Sequence, residues 1–202
     1  MQRRDVLRLL AAGAGVAASG LSPSLFSMAR AAQAQVGSGY QLRTLNPQQN
    51  AMVVTMTDLI IPETDTPGAK GALVNEFIDV ILTDWAHEDE RKAFLDGLAA
   101  VDKQSTALFG KAFNDASVEQ QTTLLRAMDD KAIAAHGAAR ARHGNTIPEN
   151  RDKQLQGNFW DVFKGITIHG YYTSEIGFAK EQHLEMIPGA YHGCVPYVPN
   201  KA

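Results

Sequence analysis

The chain has very little cysteine, few aromatic residues and no dense block of basic residues. Its single cysteine among 202 residues, Cys194, excludes an internal disulfide, a Cys-rich zinc or iron–sulfur site, and haem attached through C-x-x-C-H. The formal net charge of -3 excludes a strongly basic nucleic-acid-binding protein. The 45% hydrophobic and 20% charged composition is that of an ordinary globular protein. The length suits one domain, or one domain with a tail.

Residues 1–34 have the pattern of an export signal. Arg3 and Arg4 lie in a basic N-terminal region, and residues 9–21 are uncharged and rich in Ala, Gly and Leu. A helix over that run rises roughly 20 Å, which is too short for a hydrocarbon core of about 30 Å. The paired arginines and the weakly hydrophobic run indicate the twin-arginine pathway. The alternative is an N-terminal amphipathic helix with incidental arginines.

Two small residues mark the predicted cleavage site of this signal. Ala32 and Ala34 flank Gln33 in an A-x-A pattern, and residues 29–31 form a second candidate of the same kind. Because residues 1–34 carry four arginines and one aspartate, their removal changes the net charge from -3 to -6. We therefore expect a periplasmic protein that is unsuited to anionic lipid and does not itself span the membrane after cleavage.

The remaining chain has the periodicity of helices. Residues 35–45 predict a flexible lead, and residues 46–202 a single helical domain. Asn46, followed by a proline, is typical of a helix start, and Ser117 with Gln120 predicts a second capped start. Apolar residues recur every three to four positions, most clearly over residues 74–85. We predict a mainly α bundle of five or six helices with an irregular C-terminal arm from about residue 178, and a polar loop or frayed helix ends over residues 136–157.

A loop rich in turn-forming residues separates the first two predicted helices. Prolines, a glycine and three oxygen-bearing side chains predict a structured turn, formed by Thr64, Asp65, Thr66, Pro67 and Gly68. Glu63 and Asp65 could instead form a carboxylate pair. Local hydrogen bonding is the favoured interpretation.

The six histidines lack helical metal-ligand spacing, and we interpret them as solvated or interface residues.

The densest polar and aromatic cluster lies near the C-terminus. Adjacent tyrosines on a helix point in different directions, so at least one is expected to face something other than the local core, and tyrosine is enriched at interfaces. The alternative is that both rings pack on the monomer. The cluster predicts a partner interface made of Tyr171, Tyr172, Thr173, Ser174 and Glu175.

Two further interface candidates, Tyr191 and Cys194, lie in the predicted arm. In an exported protein, a lone cysteine indicates either a buried thiol or an intermolecular disulfide.

Four segments in this order resemble the gluconate 2-dehydrogenase subunit 3 family. They are residues 58–69, residues 77–79, residues 170–177 and residues 187–194. The resemblance spans roughly residues 45–195, and the twin-arginine leader is also similar to that of the family.

The resemblance implies a non-catalytic small subunit with no catalytic, cofactor-binding or metal-binding residues of its own. Its partner would be a large flavoprotein of the glucose–methanol–choline oxidoreductase type, which carries FAD and oxidises a sugar, sugar acid or glycoside in the periplasm. A separate multihaem cytochrome c would accept the electrons. The small subunit would aid maturation and lend its export signal. The alternatives are a periplasmic scaffold or chaperone without a redox partner, and a self-contained enzyme using Asp65, Glu175 and a histidine.

Overall fold

The computed structural model describes residues 32–37, 39–143 and 158–184, with side chains as far as residue 136 in the second range. These residues include five complete α-helices, two further helical residues at 32–33 and no strand, which confirms the prediction of a mainly α bundle. The helices are α1 (Pro47–Ile60), α2 (Val74–Asp84), α3 (Glu88–Phe109), α4 (Val118–His143) and α5 (Phe159–Thr173). A 3₁₀ turn at Phe113–Asp115 precedes α4, and a π-helical turn at Gly177–Glu181 follows α5. None of the helices in the described ranges has the length and apolar content needed to cross a membrane.

Local sequence signals set the helix starts. The Asn46 side chain accepts a hydrogen bond from the Gln49 backbone at 2.8 Å, and the Gln49 side chain accepts one from the Asn46 backbone at 3.0 Å. Ser117 and Gln120 make the same reciprocal pair at the start of α4. Each pair satisfies two backbone donors that a helix start otherwise leaves free. Both predicted starts are confirmed.

The core lies around α5, which contacts each of the other four helices. The buried residues of α5 recur every three or four positions, as expected for a helix with one face in a core. They are Trp160, Phe163, Ile166, Thr167, Gly170 and Tyr171. The rings of Phe94, Phe159 and Phe163 pack within 6 Å of one another, centroid to centroid, which joins α3 to α5.

Two helices extend further than the sequence predicts. α4 continues to His143, into the stretch predicted as a loop or frayed helix ends, and α5 continues to Thr173, beyond the apolar and aromatic run of residues 159–168 that indicates a helix there. Alanine is the strongest helix former and recurs along the end of α4. In addition, Asp129 of α4 accepts hydrogen bonds from Trp160 Nε1 at 2.8 Å and from Lys164 Nζ at 2.6 Å, which ties the two helices together. Residues 144–157 lie outside the described ranges.

The segment predicted as a flexible lead is held against α2, which corrects that prediction. Asp79 is fully buried in α2 and accepts hydrogen bonds from the Tyr40 hydroxyl and from three successive backbone N–H groups, those of residues 43–45, at 2.6–3.0 Å. Leu45 is buried beside it. A buried carboxylate needs such partners, so Asp79 fixes the path of the chain into α1.

Candidate functional site

Two of the segments singled out in the sequence meet in space. The loop of residues 62–69 lies in the connection between α1 and α2, and residues 170–177 include the last turn of α5. The Tyr171 hydroxyl donates a hydrogen bond to the carbonyl oxygen of Pro67 at 2.9 Å. The Thr66 hydroxyl donates one to Glu181 Oε2 at 2.5 Å. We call this contact region the junction, and it brings together residues more than 100 positions apart in the chain.

The loop has the local hydrogen bonds expected of a turn. The Thr64 backbone N–H donates to the carbonyl oxygen of Thr66 at 3.0 Å, and the Thr64 hydroxyl donates to Asp65 Oδ1 at 2.9 Å. The hydrogen bond from Thr64 lowers the pKa of Asp65 below its ordinary value. Asp65 is exposed and is therefore an ionised, solvated turn residue rather than a raised-pKa acid.

Gly68 allows the loop to fold back onto the end of α1. A Cβ atom at this position would lie 2.5 Å from the carbonyl oxygen of Ile61 and 2.6 Å from the backbone nitrogen of Glu63. The next residue, Ala69, is fully buried and its N–H donates to the Ile61 carbonyl oxygen at 2.9 Å. The close approach of backbone to backbone explains why glycine follows Pro67.

Two of the predicted interface residues are buried within the fold. Tyr171 is 2% exposed and Ser174 is 5% exposed. The Ser174 hydroxyl donates to the Tyr171 carbonyl oxygen at 2.6 Å and accepts from the Gly177 N–H at 3.0 Å. A Cβ atom at Gly177 would collide with the Tyr171 carbonyl group. Tyr171 and Ser174 therefore shape the junction, which corrects their assignment to a partner-facing surface.

The other predicted residues of this segment reach the surface. Tyr172 is 41% exposed, and its ring packs edge-on against that of Tyr171 at a centroid distance of 5.2 Å. Ile168, one turn earlier on the same side of α5, is 40% exposed. We call these two residues the Tyr172 face. Glu175 is exposed, and Thr173 is half-buried with its hydroxyl donating to the His169 carbonyl oxygen.

Four residues assigned from the sequence lie outside the described residues. They are Arg3, Arg4, Tyr191 and Cys194. The predicted cleavage residues lie inside them: Ala32 is fully buried and Ala34 is exposed.

The described titratable residues are dispersed. Within residues 32–37, 39–136 and 158–184, no three His, Cys, Asp or Glu side chains lie close enough together to hold a metal ion. His136 Nε2 lies 3.0 Å from Asp161 Oδ2 on the surface, and burial lowers the pKa of His169.

A cavity of about 30 Å³ between α2, α3 and α5 is lined by Glu90 and apolar side chains. It has room for one or two water molecules, far less than a sugar or a flavin needs.

The chain is similar to a known protein family over most of its length. Residues 47–189 match the family model described as gluconate 2-dehydrogenase subunit 3. The match covers more than half of the chain and includes both sides of the junction. No curated protein and no solved structure matches the chain. The extent of the family match shows that the chain belongs to the gluconate 2-dehydrogenase subunit 3 family.

Proposed function

We propose that this chain is the non-catalytic small subunit of a periplasmic FAD-dependent dehydrogenase. The catalytic partner is a flavoprotein of the glucose–methanol–choline type that oxidises a sugar, a sugar acid or a glycoside and passes electrons to a multihaem cytochrome c. FAD and haem c belong to these partners. The small subunit aids maturation of the flavoprotein and carries it through the twin-arginine pathway.

The observation that supports a partner-binding role is the contrast between two adjacent tyrosines. Tyr171 is buried and bonded to Pro67, whereas Tyr172 projects from the same turn with 41% of its surface exposed. The edge-on packing against the buried Tyr171 ring restricts the rotamers of this exposed amphipathic ring. Such a ring loses little conformational entropy when a partner covers it, and rings of this kind dominate many interfaces.

Membership of a family of dehydrogenase subunits supports a subunit partner for that surface. We assign the Tyr172 face, with Glu175 beside it in the chain, to the large flavoprotein subunit. Ile168 supplies apolar area next to the ring.

The partner-binding role is tested by co-expressing the tagged chain with a flavoprotein of the glucose–methanol–choline type from the same genome. We expect affinity purification to recover a yellow complex whose flavin absorbs near 450 nm. A Tyr172→Ser variant is expected to recover at least about tenfold less flavin, the effect of losing one interface hot spot. The matched control is Ile133→Ser on α4, which removes an exposed apolar side chain (61% exposed) away from the junction and should leave recovery unchanged.

Two outcomes would contradict the proposal. Stoichiometric FAD and turnover in the isolated chain would favour a self-contained enzyme. Stable chain with no co-purifying flavoprotein would favour a scaffold or chaperone without a redox partner.

The export role has its own test. Replacing both Arg3 and Arg4 with lysine should leave the flavoprotein and its dehydrogenase activity in the cytoplasm, since the arginine pair marks the pathway. The control is a lysine in place of Arg30, which lies outside the pair. Unchanged periplasmic activity of the double variant would refute this part of the proposal.

A further inference from the structure

The N-terminal turn (residues 32–37) packs against the end of α5 and the start of α2. Ala32 is fully buried in the hydrophobic core. Gln33 Nε2 donates a hydrogen bond to the Gly170 carbonyl oxygen at 2.6 Å and contacts the Thr173 hydroxyl at 3.4 Å. The Gly37 N–H donates to Glu76 Oε2 of α2 at 3.0 Å. Residues on both sides of the predicted cleavage site thus belong to the folded domain.

The backbone of this turn is also bonded internally. The Gln35 N–H donates to the Ala32 carbonyl oxygen at 3.0 Å, and the Val36 N–H donates to the Gln33 carbonyl oxygen at 3.3 Å. The bond between Ala34 and Gln35 therefore lies within a closed turn. Proteolysis of a folded segment requires that segment to open first. Opening here would break these hydrogen bonds and withdraw Ala32 from the core.

We infer that the mature chain keeps Ala32 and Gln33, so signal processing takes place at or before the bond between residues 31 and 32. The Ala32-Gln33-Ala34 pattern is then part of the folded domain and is not the processing site. This inference depends on the proposed export for its setting. The burial of Ala32 in the core and the hydrogen bond of Gln33 to α5, from which the inference is drawn, do not depend on export.

The first test reads the mature N-terminus directly. The full chain is expressed with its partner, the periplasmic and membrane fractions are collected, and intact mass and N-terminal sequencing are measured. We expect a main species that begins at or before Ala32, including one that retains the whole leader. A main species beginning at Gln35 would overturn the inference.

A substitution at the predicted cleavage position sharpens this test. Signal processing needs a small residue before the cut, and Ala34 is exposed, so Ala34→Lys should not disturb the core. We expect the variant to be processed like the unaltered chain. Accumulation of unprocessed Ala34→Lys chain, with the unaltered chain fully processed, would also overturn the inference.

Comparing the Tm values of two variants tests whether residues 32–37 are docked on the domain, even if the chain is not exported. In the full chain, Gln33→Ala should lower Tm by about 2–4 °C because it removes a half-buried hydrogen bond to Gly170. Gln35→Ala is the matched control, since the exposed Gln35 side chain makes surface hydrogen bonds, such as the one that it accepts from Arg43 at 3.2 Å, and should shift Tm by less than about 1 °C. Equal Tm values for the two variants would overturn the docking and the inference with it. Absence of the chain from the periplasm would count against the export role alone.

Discussion

The hydroxyl of Tyr171 donates its hydrogen bond to the carbonyl oxygen of Pro67, 104 residues earlier in the chain. This bond connects the loop of residues 62–69 to α5. The bond between Thr66 and Glu181 connects the same loop to the π-helical turn. The loop and the end of α5 therefore form one structural unit. The junction presents Tyr172 outward while burying its neighbour.

Tyr171→Phe removes only the hydroxyl of this bond. We expect the free energy of unfolding to fall by about 1–2 kcal/mol, because the carbonyl oxygen of Pro67 loses its partner in a partly buried place. Urea unfolding measures the change. Tyr172→Phe is the control and should change stability by less than about 0.5 kcal/mol, since the ring is 41% exposed. Equal effects of the two variants would show that the Tyr171 hydroxyl does not stabilise the junction.

Asp79→Ala should be among the most destabilising single substitutions in α2. It leaves the backbone N–H groups of residues 43–45 and the Tyr40 hydroxyl without their acceptor. We expect a loss of at least about 3 kcal/mol, since hydrogen bonds to a charged group contribute about 1.5–3 kcal/mol each. Asp84→Ala, which breaks a surface pair with Arg43, serves as the control with an expected loss below about 1 kcal/mol. A small effect of Asp79→Ala in chemical denaturation would mean that the 39–45 segment is not held by this carboxylate.

Stability should fall in strong alkali because of Tyr40. Burial, together with the hydrogen bond to Asp79, raises the pKa of Tyr40 to about 12, above the ordinary value of about 10. Between these pH values the unfolded chain has lost the phenolic proton and the folded chain keeps it. This contribution to stability is therefore fully present below about pH 10 and is lost as the pH rises toward 12.

The alkaline prediction is measured by comparing the unaltered chain with Tyr40→Phe. Unfolding free energies from pH 8 to 11.5 should converge as the pH rises, and tyrosinate absorbance near 295 nm should show one late-titrating group that the variant lacks. Parallel pH profiles would contradict the assignment to Tyr40.

Two glycines in α5 should respond in opposite directions to alanine. At Gly170 a Cβ atom would lie 2.7 Å from Cδ1 of the buried Phe77 ring, whereas at Gly165 a Cβ atom would meet nothing within 4 Å beyond the adjoining backbone of its own helix. Gly165→Ala is expected to stabilise the protein by about 0.5–1 kcal/mol through helix propensity. Gly170→Ala should destabilise it by about 1–3 kcal/mol through overpacking. Thermal unfolding measures both changes, and each variant is the control for the other. If both substitutions raised Tm, the close packing of α5 on α2 at Gly170 would be refuted.

The features predicted correctly from the sequence are those that depend on neighbouring residues. The starts of α1 and α4 follow from side chains that hydrogen-bond the backbone three positions away, at Asn46 and Ser117. The amphipathic period of α2 likewise needs only its own residues. The turn at Thr64 is local in the same sense.

Features that depend on distant partners were missed. Asp79 lies among the buried apolar residues of α2, which signals a special role, but its partners are 34–39 residues away. Gln33 reaches α5 across more than 130 residues, and no local pattern marks it. The sequence predicts that adjacent tyrosines diverge, but which ring is buried depends on the position of Pro67. For that reason the interface prediction included Tyr171 and Ser174, which the structure buries.

The central position of α5 has a consequence for synthesis of the chain. Since α5 contacts α1, α2, α3 and α4, the first four helices lack their common packing surface until residues 159–173 have been made. The native core cannot close on a growing chain that stops before this point, even though most of its helices are already present. Completion of the fold is therefore coupled to completion of translation, and a product that terminates early exposes the apolar faces of four helices to chaperones and proteases.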